Sequence, residues 1–477
     1  MLAEDLRRAL APDRVLSEPL ELSLFARDAS VIDGGAAAVV CFPLDTAEVQ
    51  QVVRIAGRHS RAIIPRGSGT GLAGGAVPVP ANEGDEPPVV VVTSKMDTIL
   101  DVDADDRVAW VQPGVLNLDL TRATVGHGLH FAPDPSSQQS CTIGGNVANN
   151  SGGPHCLLYG VTSAHVLAIE VVLADGTTAM LGGLEPDVPG YDLRGAFVGS
   201  EGTMGIATRI AVRLTPNPPA IRTLLADFLA VEDAAATVSG IIAAGIVPAA
   251  LEMMDAEITR AVEDYVGAGF PRDAAAILLV EVDGLEGGVD EVSDEVQRIA
   301  LASGARSIRV AADAAERALL WKGRKSAFGA IARIAPDYYL HDAVVPRTKL
   351  VEVLRAVYDI AARYDLVMMN VFHAGDGNLH PLIVFDKRVP GTMERVMEAG
   401  SEILRVCVDA GGMLSGEHGI GLEKRDYMPL VFTPESLAAQ HLLRDAFDPG
   451  HLFNPTKVLP SGSRCADLQR VPEGAWI

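Results

Sequence analysis

With 477 residues, 48% hydrophobic and 21% charged, the chain is long and apolar enough for two or three domains, each with its own core. A net charge of −23 opposes an electrostatic hold on nucleic acid or on an anionic membrane surface and suits an acidic enzyme. Cysteines 41, 141, 156, 407 and 465 form no Cys-x-x-Cys pair, which argues against iron–sulfur and cysteine–zinc sites and for reduced thiols.

Residues 1 to about 30 read as helical, without the basic-then-apolar order of a secretory signal. No apolar run anywhere approaches the ~20 residues that span a bilayer. From Ala36 the texture becomes α/β: a strand at 38–42, a helix from Asp45 to His59, and a strand at 62–65. Then comes Arg66-Gly-Ser-Gly-Thr-Gly-Leu-Ala-Gly-Gly-Ala-Val-Pro78, in which missing Cβ atoms let main-chain N–H groups approach a bound phosphate, with Arg66 as a counter-charge. Gly69, Gly71 and Gly74 spell G-x-G-x-x-G, but Val77-Pro-Val-Pro80 closes off the helix that a Rossmann fingerprint must open. The loop therefore reads as a pyrophosphate cradle of another architecture.

Strands at 88–93 and 107–112 and a helix at 117–126 lead to two polar, small-residue blocks, Ala132 to Ser137 and Thr142 to Gly153, suited to a large heterocycle. A strand at 166–173 and the segment Gly199 to Thr208, entering a strand at 206–214, precede Thr215-Pro-Asn-Pro-Pro219, a boundary signal. The second region alternates strands (222–228, 277–283, 307–311, 338–345, 367–373, 380–385) with helices (231–245, 255–266, 287–303, 313–334, 348–364, 391–411). That order suits a mainly antiparallel sheet covered by helices. Helix 313–334 carries Lys322, Arg324 and Lys325, and Arg324 is the candidate for gripping a carboxylate.

The chemistry concentrates in Val371-Phe-His-Ala-Gly-Asp-Gly-Asn-Leu-His-Pro381. Asp376-Gly377 reads as a two-residue hairpin loop, which places His373 directly opposite His380. Opposed Cβ atoms about 5 Å apart let two imidazoles converge on one divalent ion. Downstream, Ser415-Gly-Glu-His-Gly-Ile-Gly421 offers Glu417 as an oxygen ligand and His418 as a titratable group. Two histidines and a carboxylate leave coordination positions open, as a catalytic metal requires.

Six blocks, Pro65 to Pro78, Pro133 to Gly153, Gly199 to Thr208, His373 to Pro381, Gly416 to Lys424 and Phe453 to Val458, together resemble the vanillyl-alcohol-oxidase/p-cresol-methylhydroxylase class of FAD proteins. Within it the chain is similar to the 2-hydroxyacid branch of glycolate oxidase flavoprotein subunits, D-lactate dehydrogenases and D-2-hydroxyglutarate dehydrogenases. The resemblance implies an α+β fold: an N-terminal helical segment to residue 30, an FAD-binding domain over 31–217, a ferredoxin-like cap over 218–420, and a 421–477 segment packing back on the FAD domain. It implies FAD contacts from Pro65, Arg66, Gly67, Ser68, Gly69, Thr70, Gly71, Leu72, Gly75 and Ala76. The next blocks add Pro133, Asp134, Ser136, Ser137, Thr142, Gly144, Gly145, Asn146, Asn149, Asn150, Ser151, Gly152 and Gly153. Glu201, Gly202, Gly205, Ile206 and Asn454 complete the set, with Lys457 near the rim. The glycine loop lacks the histidine that tethers flavin in some relatives, so FAD is expected to be non-covalent.

By the same resemblance His373, His380 and Glu417 bind a divalent metal, usually zinc, and His418 is the base. Glu417 and His418, as neighbours in an extended stretch, are expected to point opposite ways. Relatives that take 2-hydroxyglutarate hold its distal carboxylate with a Thr and a Lys where this chain has Phe328 and Leu340, which implies a small monocarboxylate, glycolate or D-lactate. The alternatives left open are a subunit inactive without an iron–sulfur partner, 2-hydroxyglutarate specificity, and a non-catalytic module. Electrons are expected to leave to an iron–sulfur subunit, quinone, cytochrome or electron-transfer flavoprotein, from a homodimer or hetero-oligomer. The expected location is the cytoplasm, with membrane contact only through that acceptor.

Overall fold

The computed structural model describes residues 1–460 except Ala81, Glu83, Pro186 and Asp187. Cys465 and the end of the expected 421–477 segment lie outside the described residues. The first half holds two sheets. In the smaller, Val39–Cys41, Val89–Val92 and Ile63–Arg66 run parallel, with Val15–Leu16 antiparallel at the edge. The buried Val89–Val92 run is what a parallel strand covered on both faces requires. Helix Thr46–Arg58, N-capped by the Asp45 carboxylate accepting from Glu48 N at 2.9 Å, lays Val49, Val52, Val53 and Ala56 onto this sheet. The second sheet is five antiparallel strands in the order Ile99–Asp103, Val108–Val111, Ile206–Arg213, Val166–Val172, Thr178–Gly182.

A nine-stranded antiparallel sheet dominates the second half. Its alternation is strict: Leu224, Ala226 and Phe228 enter one core, and Leu225 enters the other. Helices Val231–Ala243, Glu286–Ala302, Leu350–Arg363 and Thr392–Asp409 cover the first face. Ala256–Val266, Ala314–Lys325 and Ala327–Ile331 cover only part of the second. The uncovered part of that face carries polar side chains. Thr223 is paired with Glu281 and Glu252 with His373, each directly across an antiparallel strand pair.

Several expectations need correction. The first thirty residues hold two short α-helices, Leu2–Ala9 and Pro19–Ser23, and a 3-10 turn at Pro12–Arg14. The predicted 313–334 helix breaks at Ser326, and the 338–345 strand is interrupted by His341-Asp342. Strand Ala250–Asp255 was not anticipated, because Ala-Leu-Glu-Met-Met is built of good helix formers; pairing on both edges decides it as strand. Strands Ile99–Asp103 and Thr178–Gly182 and helix Pro434–Phe447 were also missed. Among the described residues no helix is long and apolar enough to cross a membrane.

Candidate active site

The hairpin turn has four residues, Ala374 to Gly377, so His373 faces Asn378 and not His380. Asp376 N and Gly377 N donate to His373 O and Ala374 O at 3.2 and 3.3 Å, and Gly377, at φ +72°, supplies the left-handed position. The two histidines are therefore diagonal neighbours. Because the register differs from the expected one by an even number of residues, both imidazoles stay on one face, with ring centroids 5.1 Å apart at 85°.

Glu417 closes the trio. Its Oε1 lies 3.1 Å from His373 Nε2 and 3.2 Å from His380 Nε2. Ligands about 2.1 Å from a tetrahedral ion stand roughly 3.4 Å apart, so three convergent donors at this spacing fit a divalent cation after small shifts. A second group, Asp342, His380 and His418, also has its ligand atoms within 4.8 Å of one another. Asp342 is already committed: its Oδ2 accepts from Ser415 Oγ (2.6 Å) and from the main-chain N–H groups of Gly416 (3.0 Å), Glu417 (3.1 Å) and His418 (2.9 Å). This leaves the first trio as the better cation site.

The residues behind the trio favour positive charge at its centre. The Glu252 carboxylate sits 2.8 and 3.0 Å from His373 Nδ1 and pairs on its other side with buried Arg324. Burial disfavours a charged His373, but Glu252 and Glu417 outweigh it and raise its pKa to about 10. For His418 burial wins: despite Asp342 its pKa falls to about 4, leaving a neutral imidazole. The expectation that Glu417 and His418 point apart is overturned. The chain bends at 416–418 around the Asp342 carboxylate, and His418 Nε2 comes within 4.0 Å of Glu417 Oε1. The His418 ring stacks on that of His380, 5.1 Å away and 2° from parallel.

One cavity of about 470 Å³ joins this cluster to the glycine loop. Pro65, Arg66, Gly67, Ser68, Gly69, Thr70, Gly71, Leu72, Gly75 and Ala76 line it, as do Ser136, Ser137, Thr142, Gly144, Gly145, Asn146, Asn149 and Ser151. Glu201, Gly202, Gly205, Ile206, Arg324, His373, His380, Glu417 and His418 line it too. The cradle fits an extended cofactor. Among the described residues no helix follows the glycines, and at Gly71 a Cβ would meet nothing within 4 Å, so the main chain there faces open space. Arg66 lines the cavity with part of its guanidinium already engaged by the protein. Its guanidinium donates to Arg27 O (2.8 Å) and Ala76 O (3.3 Å) and lies 5.7 Å from the Phe25 ring centroid, folded under Gly69.

Six expected cofactor residues shape the wall from behind. Pro133 O accepts from Asn117 Nδ2 (2.9 Å), Asp134 pairs with His155 and Lys325, and Gly153 packs on the Asp134 main chain. Asn150 ends helix Ile143–Asn149 in the left-handed region, and Gly152 abuts Glu417. Asn454 Nδ2 donates to Gly75 O (2.9 Å) and Glu201 O (2.8 Å), while Lys457 Nζ donates to Val77 O (2.8 Å). Glu201 does more than line the cavity. It accepts from Ile420 N (2.6 Å) and Gly421 N (2.8 Å), tying the His418 loop to the first half of the chain.

The sequence reading missed Glu252 and Asp342 as supporting carboxylates and Lys325 and Tyr338 as cavity residues. A lone carboxylate among apolar neighbours at Glu252 was the available signal. Phe328 lines the cavity beside Tyr338, ring centroids 5.8 Å apart, whereas Leu340 is buried in the core beneath. The residue aligned with a distal-carboxylate ligand is thus an aromatic wall, and its companion is core.

Residues 37–182 match the family of FAD binding domains, and residues 217–458 match the FAD linked oxidases, C-terminal domain. The chain is 47% identical over 430 residues to the glycolate oxidase subunit GlcD of Escherichia coli (strain K12), covering 90% of this chain and 85% of that one. It is 32% identical over 468 residues to a D-lactate dehydrogenase of Anaerostipes hadrus, covering 94% and 96%. Its fold superposes on p-cresol methylhydroxylase with a TM-score of 0.81 over 96% of each chain; at 17% identity that likeness speaks for the fold alone.

Proposed function

The chain belongs to the FAD-linked oxidases and is an FAD-linked oxidoreductase, and from that premise we propose that it oxidises a small D-2-hydroxy monocarboxylate, glycolate or D-lactate, to the 2-oxo acid. The observation that carries the reading is the single cavity that both the glycine loop and the His373, His380, Glu417 trio line. The names of the relatives, a glycolate oxidase subunit and a D-lactate dehydrogenase, support the substrate class. In this reading residues 31–217 bind non-covalent FAD, residues 218–420 cap it and carry the metal centre, and the segment from 421 packs back on the first domain.

When bound, FAD supplies the two-electron acceptor for a hydride from the substrate's α-carbon, and a divalent ion on the trio supplies Lewis acidity at its 2-hydroxyl. His418 takes the hydroxyl proton at Nε2, the ring nitrogen facing Glu417. Arg324 keeps one edge on Glu252 and lines the cavity, where its guanidinium grips the substrate carboxylate. Glu252 holds the His373 ring with Nε2 toward the centre. Phe328 and Tyr338 close the cavity with aromatic surface, and Lys325 is engaged by Asp134 and Gln138 at 3.0 and 3.1 Å. A second carboxylate on the substrate would therefore be buried there without a free partner.

Electrons must then leave the flavin. Cysteines 41, 141, 156 and 407 are free and scattered along the chain, so the described residues offer no cluster ligands, and we assign onward transfer to a partner. An anaerobic screen of C2 to C5 2-hydroxyacids of both hands, read as flavin bleaching, tests the substrate assignment. Bleaching by glycolate or D-lactate supports it, and bleaching only by longer or dicarboxylic acids counts against it. Copurification, with activity of the isolated chain, tests the need for a partner.

A further inference from the structure

We propose that Asp342 is a positioning residue for both halves of the chemistry: it suspends the segment carrying Glu417 and His418 and fixes the tautomer of His380. The inference rests on the metal-centre reading above. Asp342 is fully buried where the sheet strand is interrupted, between Asp337–Leu340 and Ala343–Val344. Its carboxylate accepts from three successive main-chain N–H groups, those of Gly416, Glu417 and His418, and from the Ser415 hydroxyl. Ser415 Oγ in turn accepts from Gly419 N at 2.9 Å. A carboxylate with no competing water is the one side chain that can satisfy so many convergent donors, and Lys424 Nζ, 3.6 Å from Oδ2, supplies the counter-charge. The turn is therefore wound around Asp342, and the directions of the Glu417 and His418 side chains follow from it.

The second role concerns an orphan atom. His380 presents Nε2 to Glu417, while its Nδ1 is buried without a hydrogen-bond partner. To ligate through Nε2 a neutral imidazole must carry its proton on Nδ1. Asp342 Oδ1 is 3.8 Å from that nitrogen, a small shift from accepting the proton. His373 has the same arrangement already made, with Glu252 on its Nδ1. The two histidines thus have matching carboxylates behind them, one on each side of the hairpin.

The substitution Asp342→Asn separates the roles of shape and charge. Its amide oxygen can still accept from the turn, but its NH2 donates to His380 Nδ1 and drives the proton to Nε2, the wrong nitrogen for ligation. Zinc titration of chelator-stripped protein should show at least about tenfold weaker binding for Asp342→Asn than for wild type, with FAD content close to wild type and a lowered thermal midpoint, because buried Lys424 loses its counter-charge. Equal zinc affinity in a folded Asp342→Asn variant overturns the proposal while leaving the metal centre intact. Wild-type protein that binds no divalent ion overturns the centre and this inference together. If Asp342→Asn does not fold, ¹⁵N-histidine NMR of metal-free wild type decides, with the His380 signal assigned by its loss in His380→Gln. A proton on Nδ1 supports the role of Asp342, and a proton on Nε2 refutes it.

Discussion

Glu252 stands directly opposite His373 across an antiparallel strand pair, with its carboxylate on Nδ1 at 2.8 and 3.0 Å and Arg324 on its far side. Glu252→Gln therefore leaves a buried guanidinium without its counter-charge and removes the negative charge from the group that orients the ring. Breaking such a buried pair costs about 3–5 kcal/mol, and loss of the outer carboxylate lowers metal affinity roughly 10–100-fold. Urea unfolding together with zinc titration should register both effects. A variant of unchanged stability and affinity would remove Glu252 from the account.

His155 joins the two halves of the chain. Its ring contacts Asp134 at 2.9 Å and Glu281 at 3.2 Å, and Trp321 lies against it with centroids 5.1 Å apart. Burial opposes its charge, but the two carboxylates prevail and raise its pKa to about 10. Since the folded value lies above the ordinary value near 6.5, the stabilisation is complete below about pH 6.5 and is lost as pH rises through about 10. The unfolding free energy of wild type should fall more across that window than that of His155→Gln, by an amount on the order of 2 kcal/mol after allowance for partial exposure. Parallel pH profiles would refute the bridge.

Gly71 and Gly67 make contrasting probes of the cradle. A side chain at Gly71 enters open space, whereas a Cβ at Gly67 would lie 2.5 Å from Thr142 Oγ1. Gly71→Val should thus fold normally and lose FAD, read as the ratio of flavin to protein absorbance, while Gly67→Val should lose stability as well. Full flavin content in Gly71→Val would mean that the cofactor does not pass over that residue.

Phe328 and Tyr338 line the cavity as neighbouring aromatic rings, and in the proposed reading this wall limits substrate length. Trimming the wall with Phe328→Ala should raise the kcat/KM of D-2-hydroxybutyrate relative to glycolate by about tenfold, the discrimination that one or two methylene groups carry in an apolar pocket. An unchanged ratio would place the substrate's tail elsewhere.

Much of the site was legible because its signals are local. The glycine loop, the Gly375-Asp376-Gly377 turn and the Glu417-His418 pair each lie within a dozen residues, and the hairpin parity tolerated a wrong loop length because a two-residue error does not change faces. What was not legible is set by distant pairing. Glu252 reached His373 only once Ala250–Asp255 was known to be a strand, and Asp342 reached Glu417 and His418 through main-chain N–H groups that leave no mark in the pattern of side chains. The partners of Arg66 were hidden for the same reason: a basic residue beside glycines says nothing of the carbonyl groups, Arg27 O and Ala76 O, to which its Nη1 donates.

The most direct measurement of the central claim is anaerobic flavin bleaching by glycolate and D-lactate, in stopped flow, before and after chelation. If His373, His380 and Glu417 hold a divalent ion in the cavity that also takes the flavin, at least one of the two acids should bleach the untreated protein. Bleaching should disappear on chelation while FAD stays bound, and return with added zinc or manganese. Unchanged bleaching by protein that elemental analysis shows to be free of divalent metal would contradict the account.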